Sequence, residues 1–241
     1  MPNKHSPNSI VAIVPAAGVG SRMKVDRPKQ YLTINDTAIL EHTVLKLLSH
    51  PKIDTVVVSV TDGDPYFSSL SIANQSNVIR VSGGKERADS VLSALEYLNQ
   101  ENVSEWVLVH DAARPCVQLK DIDRLIETAL AHEVGAILAC PVRDTMKRSD
   151  STNNIDSTVE RNNLWHALTP QMFRTSSLYH ALNDALKAEA TITDEASAME
   201  RLGLAPALVH GRSDNIKITQ PEDLSLAEFY LSHNKEKESC E

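Results

Sequence analysis

The chain has 241 residues, with 24 Lys and Arg side chains against 32 Asp and Glu side chains, so its formal net charge is −8. Proteins that coat nucleic acid or an anionic membrane present a net basic face, so this charge argues against both partners. It remains compatible with a small anionic ligand held by a local cluster of cations. At this length, 41% apolar side chains suffice to bury a core without disulfides or metals.

The cysteines and the N-terminus bear on the compartment. Cys116, Cys140 and Cys240 are odd in number and far apart, which argues against a disulfide framework or a structural zinc site. Residues 1–10 are polar and lack the apolar core of a secretory signal. No run of about 18 apolar residues occurs in the sequence, so none is predicted to span a bilayer. We therefore expect a cytoplasmic protein.

In the first half of the chain, short apolar runs rich in β-branched residues alternate with stretches of helical period. The runs predict strands at 10–14, 55–60, 77–81, 106–110 and 136–140. The helical stretches between them lie at 40–48 and 88–98. Strands that alternate with helices require crossover connections, so we predict an α/β fold with a mostly parallel sheet.

The second half departs from this alternation. Residues 143–163 are polar and far longer than an ordinary connection, which is typical of a functional segment, a disordered segment or a projecting arm. The remaining predicted elements are helices at 176–188 and 193–202, short strands at 208–209 and 216–218, and a final helix from Pro221 to about Leu231. Without an internal repeat or a clear linker, the chain is interpreted as one domain with one excursion.

A glycine-containing loop follows the first predicted strand, from Pro15 to Met23. Glycines and small residues let backbone amides converge on an anion, and four cations follow within a few positions: Arg22, Lys24, Arg27 and Lys29. We interpret this loop as a phosphate site, with a solvated turn as the alternative. It is neither a complete dinucleotide-binding loop, because Met23 replaces the third glycine, nor a Walker A loop.

A second motif runs from Gly83 to Ser90, again between a strand and a helix. Its paired glycines would let the backbone contact a flat base, and Ser90 offers a hydroxyl for a polar base edge. A simple strand-to-helix turn explains the same residues equally well.

The third motif, His110 to Pro115, ends the strand at 106–110. A carboxylate at the end of a central strand is well placed to hold a divalent metal against phosphates, which assigns this role to Asp111. The small Ala112 and Ala113 leave room for a ligand. A carboxylate that only caps a turn is the alternative.

Together the motifs resemble those of nucleotidyltransferases that activate sugar or polyol phosphates, and within these the 2-C-methyl-D-erythritol 4-phosphate cytidylyltransferase family. The resemblance extends from about Ile10 to about Leu231. The segments that carry it are 16–23, 28–31, 83–84, 87–91, 109–115, 193–197 and 215–217.

The resemblance implies a Rossmann-like α/β fold with helices on both faces of the sheet, formed by one nucleotidyltransferase domain over residues 1–241. It also implies a homodimer in which a projecting arm at about 143–163 reaches the partner subunit. The implied substrates are CTP and a polyol phosphate, the implied cofactor is Mg²⁺, and the implied pathway is non-mevalonate isoprenoid synthesis.

Residue roles follow from the same resemblance. It implies a catalytic set of four cations: Arg22, Lys29, Arg161 and Lys217. It implies substrate binding by Ala16, Ala17, Gly18, Gly84, Ser90, Asp111, Ala112, Arg114, Thr145 and Thr193. Arg22 and Lys29 would stabilise the transition state, and Asp111 would hold the metal. Ala16, Gly84 and Ser90 would recognise cytosine. Lys217, together with Arg161 of the partner subunit, would position the methylerythritol phosphate, with Thr145 nearby.

Three alternatives remain open at this point. Ribitol 5-phosphate cytidylyltransferases have closely similar loops and differ in the acceptor. An NAD-dependent oxidoreductase would use Asp62 or Asp64 on the ribose, although Met23 counts against it. A nucleotide-sensing module without catalysis would not require the four cations together.

Overall fold

The structure is a computed structural model that describes residues 10–18, 27–101 and 103–238, with side chains as far as residue 233. The strands are β1 Ile10–Pro15, β2 Thr33–Ile34, β3 Thr37–Ala38, β4 Ile53–Val60, β5 Val78–Ser82, β6 Trp106–Val109, β7 Gly135–Pro141, β8 Met146–Ser149, β9 Ile155–Val159, β10 Trp165–Arg174 and β11 Ala207–His210. The helices are α1 Ile39–Leu48, α2 Arg87–Glu101, α3 Leu119–Ala131, α4 Thr175–Lys187, α5 Glu195–Arg201 and α6 Glu222–Glu238. Within these ranges no helix is long and apolar enough to cross a membrane.

The central sheet has the strand order β11-β7-β10-β6-β1-β4-β5. Only β10 runs antiparallel to its neighbours, β6 and β7, so the predicted mostly parallel sheet is confirmed. Strand β1 lies inside the sheet, where Ile13 pairs with Val57 on one side and Val109 on the other. The carboxyl ends of the parallel strands therefore meet at one edge, where α/β proteins bind ligands.

Helices cover both faces, as predicted. Alternate residues of β1 point to opposite sides, so Ala12 and Val14 belong to the core under α1 and α3. Val11 and Ile13 belong to the core under α2, α4 and α5. Helix α6 packs on a third, smaller apolar cluster through Ala227.

Several elements differ from the prediction. The predicted strand at 216–218 is wrong: the segment lies outside the sheet, and Ile218 is buried in the cluster beneath α6. The final helix does not end near Leu231 but continues to Glu238. Helix α3 and strand β10 were not predicted at all. Strand β10 is the longest of the sheet and carries polar residues such as Thr169 and Gln171, which hide its period.

The polar stretch 143–163 contains an antiparallel hairpin, β8–β9, in which Met146 pairs with Val159. Nearly every residue of the hairpin is exposed, including Ile155 at 68%. An exposed hairpin is the kind of element that could form the predicted projecting arm, which itself stays a prediction. That the arm reaches a partner subunit remains a prediction.

Candidate active site

The carboxyl edge of the sheet opens into a cleft of about 480 Å³. It is bounded by the loop after β1, the short 3₁₀ turn at Lys29–Tyr31, the start of α2, the turn after β6 and the segment before α6. The predicted site residues that line this cleft are Ala16, Ala17, Gly18, Lys29, Gly84, Ser90, Asp111, Ala112 and Lys217. Residues far apart in sequence are thus gathered around one cavity.

One wall is built by neighbouring residues of the 3₁₀ turn. The Gln30 side chain is 4% exposed, and its amide donates to the carbonyls of Ala16 at 2.7 Å and Gly18 at 3.1 Å. The Lys29 ammonium donates to the Ile218 carbonyl at 2.9 Å. This wall therefore fixes the small-residue loop and places a cation beside it.

The opposite wall depends on two glycines. A Cβ at Gly83 would lie 2.4 Å from the Cβ of Ala17, and one at Gly84 would lie 2.1 Å from the Cβ of Asp89. The Gly84 N–H donates to the Ser90 hydroxyl at 3.1 Å, and that hydroxyl donates to the Glu86 carbonyl at 3.2 Å. A hydroxyl accepts two hydrogen bonds, so Ser90 keeps an acceptor position toward a ligand.

Asp111 forms the floor of the cleft and is surrounded by cations. Its carboxylate accepts from Arg87 Nε at 2.9 Å and from Arg114 Nε at 3.3 Å, and it lies 2.9 Å from Lys217 Nζ. Burial alone would raise the pKa of Asp111. The three cations outweigh burial and hold this pKa far below its usual range. The floor carboxylate is therefore an anion at every physiological pH.

Arg87 extends this floor network to a second carboxylate, Glu195. The terminal nitrogens of Arg87 bond both oxygens of Glu195, at 2.6 and 3.0 Å, while Nε bonds Asp111. Burial by itself would lower the pKa of Arg87, but Glu195 and Asp111 more than offset it and raise the pKa. With Arg114 and Lys217, the network joins three cations to two carboxylates and keeps one net positive charge.

The main chain of the floor is held by a buried hydrogen-bond chain. The Asp111 N–H donates to the Thr169 hydroxyl at 3.1 Å, and this hydroxyl contacts His110 Nδ1 at 2.9 Å. His110 Nε2 lies 3.0 Å from the Arg114 carbonyl, which only accepts, so Nε2 carries the proton. Burial lowers the pKa of His110 to about 4, because the ionised form would lose its hydration.

Other predicted site residues lie away from the cleft lining. Arg114 is buried beneath the floor, where Nη1 donates to the Asn215 carbonyl at 2.7 Å. Thr193 is exposed in the loop before α5. Thr145 and Arg161 are exposed at the base of the hairpin, and the Arg161 guanidinium contacts the Arg143 carbonyl. Arg22 falls outside the described residues. The roles implied for these residues stay predictions.

Sequence reasoning missed four residues that shape the site. Arg87 and Glu195 lie inside the family-like motifs but were not predicted as site residues, and they meet across 108 positions of sequence. Gln30 follows a predicted catalytic lysine without carrying a charge. Thr169 lies in the strand that was not predicted. The signal that could have identified Arg87 is its position in the Gly83–Ser90 motif, where it is a charged residue next to the predicted base-binding glycines.

The metal donors of the site are few. Within 10–18, 27–101 and 103–233, no group of three His, Cys, Asp or Glu side chains is arranged to hold a metal ion. Mg²⁺ is commonly held by one or two carboxylates together with substrate phosphates and water. Asp111 is a buried carboxylate that lines the cleft. It therefore fits a metal whose other ligands are the phosphates of a bound triphosphate and water.

The comparisons with known proteins agree with this geometry. The profile of the family described as IspD, 2-C-methyl-D-erythritol 4-phosphate cytidylyltransferase, matches residues 10–233. Relatives of that name from Vibrio cholerae and Vibrio atlanticus are 68% and 65% identical over 95% of this chain, and the matches cover 99% and 97% of those proteins.

A solved structure described as 4-diphosphocytidyl-2C-methyl-D-erythritol synthase superposes with a TM-score of 0.81 at 37% identity. The match covers 93% of this chain and 99% of that one. The Rossmann-like α/β fold that the motifs imply is thereby confirmed. The chain belongs to the 2-C-methyl-D-erythritol 4-phosphate cytidylyltransferase family and is a nucleotidyltransferase.

Proposed function

We propose that the chain transfers the cytidylyl group of CTP to 2-C-methyl-D-erythritol 4-phosphate in isoprenoid biosynthesis. The products are 4-diphosphocytidyl-2-C-methyl-D-erythritol and pyrophosphate. The observation that carries the proposal is the cleft itself, in which a cradle of small residues at 16–18 faces Lys29, Arg87 and Lys217. The names of the relatives favour this acceptor over ribitol 5-phosphate.

The reaction needs alignment and charge stabilisation rather than a general base. A phosphate oxygen of the acceptor is already ionised at neutral pH and attacks the α-phosphorus of CTP. As the new P–O bond forms, the bond from the α-phosphorus to the bridging oxygen breaks, and its electron pair leaves with pyrophosphate. Two anions must therefore approach while charge builds on oxygen, which fixed cations counter most effectively.

Lys29 is suited to stabilise the charge that develops at the α-phosphate. Its contact with the Ile218 carbonyl holds the ammonium in the cleft that the small-residue cradle also lines. Arg22, to which the resemblance gives the same role, would assist it. Lys217 has a different role, because its ammonium lies on Asp111 and would turn to the acceptor phosphate as that anion enters.

The nucleotide base would bind at the wall of the cleft that contains Gly84 and Ser90. Ala16 and Gly84 both line the cleft, and neither carries a bulky side chain, so a planar base could approach the main chain there. The free acceptor position of the Ser90 hydroxyl would take a hydrogen bond from the exocyclic amine of cytosine. A uracil offers no such donor, so this contact would favour CTP over UTP.

Asp111 would hold the Mg²⁺ of the proposed reaction. Bound there with the triphosphate, the ion would neutralise phosphate charge and favour the departure of pyrophosphate. Asp111 is ready for this role because its carboxylate stays ionised. A divalent ion would have to compete with Lys217 and Arg87 for its oxygens.

The proposal is tested by measuring pyrophosphate release from CTP with each acceptor in turn. We expect turnover with 2-C-methyl-D-erythritol 4-phosphate, far slower turnover with ribitol 5-phosphate, and none when EDTA removes Mg²⁺. Turnover with ribitol 5-phosphate alone would replace the acceptor, and full turnover in EDTA would remove the metal from the reaction. Saturable NAD binding would support the oxidoreductase alternative.

We also propose that the chain is a homodimer in which the hairpin of one subunit completes the cleft of the other. The exposed position of Arg161, away from its own cleft lining, supports an action in trans. Mixing inactive Lys29→Ala and Arg161→Ala subunits tests this. Random exchange makes half the dimers mixed, each with one intact site, so about a quarter of wild-type activity returns. No recovery in exchanged mixtures contradicts action in trans.

A further inference from the structure

Glu195 is a buried carboxylate that the proposed reaction does not use. It is 1% exposed and does not line the cleft, yet it binds Arg87, the guanidinium that also contacts Asp111. Arg87 is thus shared between two carboxylates. The terminal nitrogens go to Glu195 in a bidentate pair, the stronger arrangement, and only Nε reaches Asp111.

The helix around Glu195 does not need its side chain. Asp194 caps α5, since its Oδ1 accepts from the Ser197 N–H at 3.0 Å. The Ala196 N–H is satisfied by Gln171 Oε1 at 2.9 Å, so neighbouring residues also tie this turn to β10. Glu195 is therefore placed by its neighbours and directed at Arg87, which is the arrangement of a residue that acts through another.

We propose that Glu195 is a positioning residue that sets how strongly Asp111 binds the divalent metal. This inference rests on the proposed function, in which Asp111 holds Mg²⁺ beside CTP. By holding the two terminal nitrogens of Arg87, Glu195 limits the competition of that guanidinium for the Asp111 carboxylate. Its own negative charge, one guanidinium away, also favours a cation at the floor. Groups that orient a metal ligand from behind commonly change metal affinity about 10- to 100-fold.

Two variants give opposite expectations. In Glu195→Gln, the carboxylate no longer competes for Arg87, so Arg87 binds Asp111 more tightly and the metal more weakly. In the double variant Arg87→Gln/Glu195→Gln, a neutral amide pair replaces the ion pair, and Asp111 loses one competing cation. The double variant should bind the metal more tightly than wild type, and it leaves no buried charge without a partner.

The measurement is calorimetric titration of CTP into the protein without acceptor, once in EDTA and once in saturating Mg²⁺. We define the coupling ratio as the dissociation constant of CTP in EDTA divided by that in Mg²⁺. This ratio exceeds one when the metal strengthens nucleotide binding. We expect this ratio to fall about tenfold in Glu195→Gln and to rise above the wild-type value in the double variant. A merely structural role would change both dissociation constants together and leave their ratio unaltered.

Glu105→Gln is the matched control, since Glu105 pairs with Arg174 on the surface, away from the cleft, and should keep the wild-type ratio. A coupling ratio of one in the wild type would mean that Mg²⁺ does not assist CTP binding. That result refutes both the metal role in the proposed function and this inference. A wild-type ratio above one that both variants retain refutes the inference alone. If Glu195→Gln does not fold, the double variant decides: a ratio at or below wild type overturns the proposal.

Discussion

The floor of the cleft and the β8–β9 hairpin are both rich in charge, and they hold it in opposite ways. In the floor, Arg87 and Lys217 are bonded to carboxylates that are almost fully buried. In the hairpin, the Lys147 ammonium donates to the Thr158 hydroxyl at 2.6 Å, and the Arg161 guanidinium contacts a backbone carbonyl, all at exposed positions.

This difference decides where electrostatics can act. Charges fixed in a water-poor site interact several-fold more strongly than the same charges in water and need no reorganisation when a substrate arrives. Solvated charges on a hairpin contribute little until another molecule covers them. Within the described residues, we therefore expect changes at the cleft to alter chemistry and stability. Changes at hairpin residues that touch neither the substrate nor a second subunit should alter neither, whereas Arg161 is expected to matter only through the proposed dimer.

The largest expected effect comes from Lys29→Ala. Removing the ammonium at the cradle takes away a fixed donor to the developing charge, so kcat should fall about 100- to 1000-fold, or roughly 3–4 kcal/mol. The loss should appear in kcat more than in the KM for CTP, because the interaction strengthens in the transition state. Steady-state pyrophosphate release measures both constants.

Lys187→Ala is the control for this change, because it removes an exposed lysine from the last turn of α4, remote from the cleft. It should keep the wild-type kcat. If Lys29→Ala folds normally and keeps the wild-type kcat, the Lys29 ammonium does not stabilise the transition state. The expected difference between cleft and hairpin charges would then be wrong.

Much of the framework was predictable because local pattern determines it. The predicted strands at 10–14, 55–60 and 136–140 lie within two residues of the observed strands at each end. Buried parallel strands are short, continuous apolar runs, which makes them readable without any partner. The residues at 16–18 and Asp111 could also be placed at the cleft, since each directly follows such a strand; their roles stay predictions.

The rest depended on contacts that no local window contains. Strand β10 buries Thr169 and Gln171 because they bond His110 and Asp194 across the fold, so its polar residues obscured the strand. The segment at 216–218 has strand-like composition, but it lies outside the sheet, and its two isoleucines, Ile216 and Ile218, pack in the cluster beneath α6 instead. Glu195 acquires its role only through Arg87, which lies on another helix.

Mild acid should lower the free energy of unfolding, because it protonates His110 beneath the floor of the cleft. Burial holds the pKa of His110 at about 4, below the value of about 6.5 in the unfolded chain. The unfolded state therefore binds a proton first, and stability is complete above pH 6.5 and falls as the pH drops toward 4. We expect a loss of about 2 kcal/mol between pH 7.5 and pH 5, measured by urea unfolding.

His110→Gln separates this effect from other groups, since its amide retains a donor toward the Arg114 carbonyl and does not titrate. Its free energy of unfolding should be nearly flat between pH 7.5 and pH 5. The pKa of Asp111 is also lowered, but stability linked to it is lost only below about pH 4. An equal loss in wild type and variant would assign the acid sensitivity elsewhere.

Gln30→Leu tests whether the neutral wall matters as much as the charged floor. The substitution removes the amide that bonds the Ala16 and Gly18 carbonyls, so the cradle loses its fixed position. One buried hydrogen-bonding group is worth about 1–2 kcal/mol, which predicts about a tenfold increase in the KM for CTP with a smaller change in kcat. Gln220→Leu, an exposed glutamine before α6, is the control.

The smallest effect is expected from Lys147→Ala in the hairpin. An exposed ammonium exchanges its Thr158 contact for water at almost no cost, so the melting temperature should move by about 1 °C or less. For the same reason, raising NaCl from about 0.1 to about 1 M should leave the difference between variant and wild type near zero. A shift of several degrees would mean that the hairpin lysine is covered in solution, and the second subunit of the proposed dimer is the molecule that would cover it.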